Sequence, residues 1–495
     1  MDEHSKTSYR QIFKATSLFG GVQAYNVLIS LIRVKFVAVF LGPLGMGIMN
    51  LLSIPIAFIG QLSGLGLGSS AVRDISQANS TGDEEKINRT LSVFRKWIWV
   101  TGIAGSLITL VLARQLSYWT FGNGDYYYAF MALSVVLLLN SLSSGYSTAL
   151  QGMRKLRQLA KATIIGSTIG LLVSIPLYYY FRIKGIVPTI IIAAFTSLLL
   201  NWFFGRKIQG KRITLSWKEI WHEGNGMVKL GILITLSSLI STLVSYLINI
   251  YVGHKGGIGQ VGLYQAGFSI TDKYVGLIFV AMATDYYPRL SGVIHDHSKM
   301  KETVNQQAEI AMLILGPLLI LLMTTLPLVV RLLYTSSFLP IIDFVPWIIL
   351  GIPLKAASWA MGFIILAKGK SFLYLFTECF ANCVLLVLSI FGYQQWGLTG
   401  LGFAFLLMYA LYFLFLVFIC KSNFKFQYSR VFFKIFLITA LLCMTTIIFS
   451  MYMKFPDAYF SGTFIFIIIS LYSLYELNKR INLKSFFLEF FKNGK

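Results

Sequence analysis

From Ala15 to Glu476 the chain repeats one pattern: an apolar run of about 20 residues, then a short polar or charged stretch. A helical run of that length crosses a hydrocarbon layer of roughly 30 Å, since each residue advances about 1.5 Å. Fourteen runs are read at 15–41, 45–70, 97–114, 127–149, 161–181, 186–204, 225–251, 262–285, 309–333, 343–366, 371–393, 398–420, 432–453 and 459–476. The pattern predicts an all-α polytopic membrane protein of about fourteen transmembrane helices. Met1 to Gln11 is polar, and no small-residue cleavage site interrupts the first run, so that run is expected to stay as the first span.

The pattern also repeats on a larger scale, at a spacing of about 215 residues. Gly47-Ile-Met-Asn50 to Ala71-Val-Arg73-Asp-Ile-Ser76 can be laid on Gly262-Leu-Tyr-Gln265 to Tyr287-Pro-Arg289-Leu-Ser291. Polar linkers follow both, Gln77–Arg95 and Gly292–Gln307. Farther on, Leu150-Gln-Gly152-Met-Arg-Lys155 parallels Leu366-Ala-Lys-Gly369-Lys370, and Lys184-Gly185 parallels Trp396-Gly397. Six spans separate equivalent points, an even number, so the copies share one orientation. The expected architecture is two parallel six-helix repeats around a central cavity plus two C-terminal helices. The domain boundaries read from it are 1–224, 225–425 and 426–495.

Loops of about 20 residues or fewer leave no room for an extramembrane catalytic domain. Asp83-Glu-Glu-Lys86 and Lys211–Glu223 are candidates for amphipathic helices on the membrane face, with Trp217 and Trp221 as headgroup anchors, or for solvated loops. Glycines at 60, 64, 66 and 68 in the second span are read as close-packing positions. Pro346 and Pro353 in the tenth span, and Pro317 and Pro327 in the ninth, favour bending helices.

Composition agrees: 56% of residues are hydrophobic, 12% are charged, and the mean hydropathy is +0.71, outside the range of soluble domains. The formal charge of +23 suggests nucleic acid until its distribution is traced. Of the Lys and Arg residues, 31 fall on the side holding the N-terminus, 6 on the other side and 5 inside spans. That asymmetry places both termini in the cytoplasm and argues against a nucleic-acid partner. Cys379, Cys383, Cys420 and Cys443 all lie in predicted spans and read as small apolar fillers. No catalytic constellation and no cofactor site is evident.

The candidate chemistry lies with the ionisable residues inside spans, which are costly there unless a cavity, partner or ligand faces them. The basic ones are Arg33, Lys35, Lys229, Lys273 and Lys355; only Asp272 and Glu378 are comparably placed acids. An unbalanced basic set points to an anionic cargo. Lys273 and Lys355 lie near the middle of the eighth and tenth spans, too deep to snorkel to an interface. Arg33 and Lys35 sit two-thirds along a long first span, so they either line the cavity or approach the outer interface. Lys229 opens the seventh span and reaches the interface by snorkelling. Asp272 and Glu378 are candidates for a coupling proton or sodium ion, and equally for hydrogen-bonded structural groups.

Four segments carry a family resemblance. Phe40-Leu-Gly42-Pro-Leu-Gly-Met-Gly47, Phe121-Gly-Asn-Gly-Asp-Tyr126, Gln151-Gly-Met-Arg154 and Ala281-Met-Ala-Thr-Asp-Tyr-Tyr-Pro-Arg289-Leu-Ser291 resemble, in order and spacing, the O-antigen translocases. These Wzx-type flippases of lipid-linked oligosaccharides belong to the multidrug/oligosaccharidyl-lipid/polysaccharide exporter superfamily. The likeness runs from about residue 10 to 425. It implies a non-enzymatic transporter in the bacterial inner membrane. Its cargo would be an undecaprenyl-diphosphate-linked glycan, moved to the periplasmic leaflet by alternating access; other polysaccharide-assembly proteins would be partners, beside membrane lipid. It directs attention to Lys35, then to Arg33 and Lys273, as diphosphate ligands. A multidrug or ion antiporter, which needs an acid-dominated cavity, and a membrane-embedded polymerase, which needs a long outer loop or an acidic motif, are the alternatives.

Overall fold

Four of the polar stretches carry a side chain that starts the next helix. The Asp83 carboxylate accepts from the backbone N–H groups of Glu85 (2.9 Å) and Lys86 (3.3 Å). Ser216 and Glu219 cap each other reciprocally. Asp296 accepts from Lys299 N–H at 3.1 Å, and the Ser429 hydroxyl from Phe432 N–H at 2.9 Å. Each satisfies donors that the first turn of a helix leaves unpaired.

The computed structural model describes residues 3–206, 213, 215–453 and 456–481, without the side chains of 3–20, 272–274, 284, 451 and 481. The helices in order are α1 (Glu3–Gly64), α2 (Leu67–Thr81), α3 (Glu84–Val111), α4 (Ala113–Phe121), α5 (Tyr127–Gly152), α6 (Leu156–Phe181) and α7 (Ile186–Gly205). They continue as α8 (Trp217–Gly256), α9 (Ile258–Val293), α10 (His297–Leu333), α11 (Ile341–Ala367), α12 (Ser371–Phe424), α13 (Arg430–Tyr452) and α14 (Asp457–Ile481). No strand occurs among the described residues.

Nine of the described helical stretches are long and apolar enough to cross a membrane, and two bent pairs join them: α3 with α4 at 64°, and Ile258–Thr271 with Val275–Val293 of α9 at 47°. Three of the nine are longer than 40 residues: Gly21–Gly64 with 44, Leu156–Gly205 with 50 and Ser371–Phe424 with 54. Each is broken near its middle, at Gly42, at Arg182–Gly185 and at Trp396–Gly397. Read as two crossings each, they bring the described helices to the fourteen spans expected.

The backbone breaks carry the internal duplication more clearly than the side chains do. Gly42 (φ 64°, ψ −169°) recurs as Gly257 (φ 85°, ψ 162°), and Arg182 (φ 51°, ψ −132°) as Gly397 (φ 55°, ψ −134°), each pair 215 residues apart. At the same spacing, Arg154 (φ 55°) matches Gly369 (φ 70°). Lys155 N–H reaches back to Leu150 C=O (2.8 Å) as Lys370 N–H does to Ile365 C=O (3.1 Å), the same helix-ending loop in both copies.

The chain forms two compact units, Met1–Gly262 and Leu263–Lys495. In the first, residues 80–86 and 216–219 are exposed, while apolar positions at the linker ends and in the flanking helices pack together. Leu67, Ile75, Phe94, Trp97, Ile220 and Met227 form a buried cluster, where the Trp97 indole donates to Ile220 C=O at 3.3 Å. Lys211 and Arg212 lie outside the described residues, but Trp217 to Glu223 forms the first turns of α8. Trp217 and Trp221 are both about two-thirds exposed there, as headgroup anchors would be. Asp83 to Lys86 opens α3.

In the second unit α11 is buried along most of its length, with Phe344, Ile349, Ala356, Ala360 and Ile364 fully covered. The two helices outside the repeat, α13 and α14, pack on α10. One carboxylate ties both of them to it. Glu309 of α10 accepts from Arg480 of α14 through Nε (3.1 Å) and Nη2 (3.0 Å) and from the capping Ser429 hydroxyl of α13 (3.1 Å). Glu476 closes the other side of the Arg480 guanidinium.

Candidate functional site

In the first unit the chain leaves the helix between α1 and α2, where Leu65 (φ 48°) and Gly66 (φ 64°) are both left-handed. Gly66 lies against Gly231 of α8 so closely that a Cβ on either would overlap backbone atoms across the contact. Only glycine permits that approach together with that φ. The break faces a cavity of about 540 Å³ walled by α1, α2, α3, α5, α7 and α8. Non-helical backbone is tolerated at membrane depth where it is buried in protein or lines a cavity, and here it lines one.

The polar lining of this cavity is neutral. Ser53, Gln61 and Ser63 come from α1, while Asn140, Ser141 and Ser144 come from α5. Ser69, Thr101 and Thr235 complete the polar set, and no charged side chain contributes. Gln61 accepts from Thr242 at 3.1 Å. Ser53, Ser141 and Thr235 donate to the carbonyls of Met49 (2.7 Å), Ile98 (3.1 Å) and Gly231 (2.9 Å), so their oxygens remain as acceptors. The sequence reading missed these side chains and took the glycines among them for packing. The available signal was spacing: Ser53, Ala57, Gly60 and Gly64 recur at three or four residues on α1, as do Asn140 and Ser144 on α5.

The intramembrane cations lie elsewhere. Arg33, on α1, is turned toward α6: its Nη2 lies 3.0 Å from where a Cβ on Gly170 would stand, so that glycine makes room for the guanidinium. Beside it Tyr25 and Thr168 join the two helices at 2.6 Å. The Arg33 Nε is buried with no hydrogen-bond partner. Lys35, two positions on and so about 200° around the helix, is half-buried on another face. Lys229 is exposed on α8.

In the second unit Lys355 is half-buried on α11, its Nζ 5.6 Å from the centroid of Phe279. That ring is the end of an aromatic cluster with Trp359, Phe363 and Tyr286. A ring face attracts a cation, so the cluster holds Lys355 without neutralising it. Glu378, on the first arm of α12, accepts from the Tyr412 hydroxyl of the second arm at 3.0 Å. The side chains of Asp272 and Lys273 lie outside the described residues; their backbone falls where α9 changes direction.

Residues 36–343, more than half of the chain, match the sequence profile of a family described as polysaccharide biosynthesis protein. Among curated proteins, the chain is 21% identical over 391 residues to the lipid III flippase of Escherichia coli (strain K12), covering 77% of this chain and 91% of that one. Among solved structures, it superposes on the lipid II flippase MurJ in an inward closed conformation with a TM-score of 0.71 at 13% identity, covering 94% of this chain and 99% of that one. An inward-facing multidrug resistance MATE family transporter of the MOP superfamily gives 0.69 at 15% identity, covering 81% and 95%. At these identities the two superpositions establish a shared all-α transporter fold.

Proposed function

The chain belongs to the polysaccharide biosynthesis protein family, and from that premise we propose that it flips a polyprenyl-diphosphate-linked oligosaccharide across a membrane. The proposed substrate is an undecaprenyl-diphosphate-linked repeat unit of O-antigen or a related surface polysaccharide. It would move from the cytoplasmic to the periplasmic leaflet of the bacterial inner membrane by alternating access, with both termini cytoplasmic. In this reading the protein is a transporter and breaks no covalent bond.

The observation that carries the proposal is the Arg33 Nε, buried against α6 with its hydrogen-bonding capacity unused. A guanidinium N–H withdrawn from water is costly unless an acceptor meets it, although the side chain as a whole is only half-buried. A diphosphate supplies that acceptor, with oxygens matching the planar fork of arginine. Lys35, Lys355 and Lys273 are the proposed further cations along the path, and Asp272 and Glu378 the proposed coupling-ion candidates. The names of the relatives, one a lipid III flippase and one a lipid II flippase, agree with a lipid-linked cargo.

Reconstitution in proteoliposomes with a fluorescent undecaprenyl-diphosphate oligosaccharide tests the reading. Flipping is expected in the wild type, with a loss of about tenfold or more in Arg33→Ala and Lys355→Ala and partial retention in Arg33→Lys, since each removes a charge-assisted contact of about 1.5–3 kcal/mol. Wild-type rates in the neutral variants would remove these residues from the path. No flipping by the wild type would remove the function.

A further inference from the structure

We infer that the cavity inside the first unit is a subsite for an uncharged sugar residue of the carried glycan. This rests on the flippase reading and extends it from the diphosphate to the sugar. The cavity volume of about 540 Å³ falls within the roughly 300–1,000 Å³ of small-molecule sites.

The lining selects its occupant largely by exclusion. Nine hydroxyl or carboxamide side chains face the cavity, with no acid, no base and no aromatic ring among the lining residues. An organic cation is held by carboxylates or ring faces, and this cavity offers neither. An acidic sugar would bring a carboxylate into a site with no opposite charge, at the full cost of desolvation. A purely apolar ligand would cover the Asn140 carboxamide and leave it without a partner. A neutral hydroxylated ring meets all three conditions.

The donor and acceptor pattern fits as well. Ser53, Ser141 and Thr235 spend their hydrogens on backbone carbonyls and leave lone pairs for incoming hydroxyl groups. Asn140 supplies the complement: it lies exposed on the cavity wall and its carboxamide makes no hydrogen bond among the described residues. That group offers two donors and an acceptor in one plane, which can engage two neighbouring hydroxyls of one ring. Ser144 stands one turn along the same face of α5.

The test uses the full chain in lipid nanodiscs and calorimetric binding of four probes. These are a short-chain polyprenyl diphosphate carrying one neutral hexose, the same lipid carrying a hexuronic acid, the bare polyprenyl diphosphate, and a free methyl hexoside. The hexose-bearing lipid is expected to bind about tenfold tighter than the bare diphosphate, the worth of one or two hydrogen bonds, and the hexuronic acid no tighter than the bare lipid. In Asn140→Leu the hexose-bearing and bare lipids are expected to bind alike. Ser144→Ala, a milder change, should reduce the hexose gain severalfold and carries the test if Asn140→Leu does not fold. No hexose gain in the wild type, a full gain in the folded variants, or an equal gain for the hexuronic acid overturns the subsite and leaves the flippase reading standing. If no diphosphate binds but the methyl hexoside does, and Asn140→Leu loses it, the lipid-linked reading falls and the sugar site stands. If none of the probes binds, both fall.

Discussion

The matched breaks at Arg182 and Gly397 put one backbone conformation under two different side chains. With φ near 50° and ψ near −130°, it lies in a region essentially confined to glycine. At Gly397 a Cβ would meet nothing within 4 Å, so Gly397→Ala isolates the backbone cost from packing. That cost is about 1–3 kcal/mol, less about 0.5–1 kcal/mol from the reduced entropy of the unfolded chain. Arg182→Gly is the converse change. It releases about the same strain, but loses the Arg182 to Phe40 carbonyl hydrogen bond of 3.1 Å, worth about 0.5–1.5 kcal/mol, and adds chain entropy to the unfolded state. The expected result is destabilisation of about 1–2 kcal/mol for Gly397→Ala and a change within about 1 kcal/mol of zero for Arg182→Gly. Thermal unfolding followed by tryptophan fluorescence reads both. For a unit of this size the glycine replacement should lower the midpoint by about 2–8 °C. The second unit can also be followed alone, because the buried Cys420 and Cys443 become reactive to a thiol dye on unfolding. If Gly397→Ala is neutral, or Arg182→Gly is the more damaging of the two, the reasoning from backbone conformation fails.

Three further outcomes follow from the packing. Arg480→Ala leaves Glu309 and Glu476 facing each other without their cation; since the network is only partly buried, the loss should be about 2–3 kcal/mol, read as earlier proteolysis between α12 and α13. Gly231→Ala drives a methyl into the Leu65 carbonyl and should cost about 1–3 kcal/mol, measured as a lower unfolding midpoint, while Gly226→Ala, with open space around it, should not. The Asp296 carboxyl is held below its ordinary value, chiefly by the Lys299 backbone N–H. Its contribution is therefore present at neutral pH and lost as pH falls below the ordinary aspartate value through the lower folded one. Asp296→Asn should keep the cap and flatten that acid limb of the midpoint-against-pH curve.

What was legible in the sequence, and what was not, divides along physical lines. Span number was readable because hydrophobic length is a property of consecutive residues, and it survived even where helices run together across Gly42 and Trp396–Gly397. The duplication was weak in side chains and sharp in dihedral angles, since a turn of given geometry accepts Gly42 or Gly257, but also Arg182 in place of glycine. Charged residues in spans announce themselves by their cost, so attention went to Arg33, Lys35, Lys273 and Lys355. The neutral cavity announces nothing: Ser53 and Ser141 each satisfy their hydroxyl hydrogen on a backbone carbonyl, which makes a serine in a span cheap and its presence uninformative. Asn140 is the exception. The carboxamides of Asn201, Asn249, Asn305, Asn382 and Asn423 each take the same outlet, donating to the carbonyl four residues back, whereas that of Asn140 is left free among the described residues in the middle of an apolar span and so points to a ligand. The rule that singled out the cations, that a polar group in lipid must be answered by something, therefore applies with equal force to Asn140. It extends the search from the charge of the cargo to its hydroxyl groups.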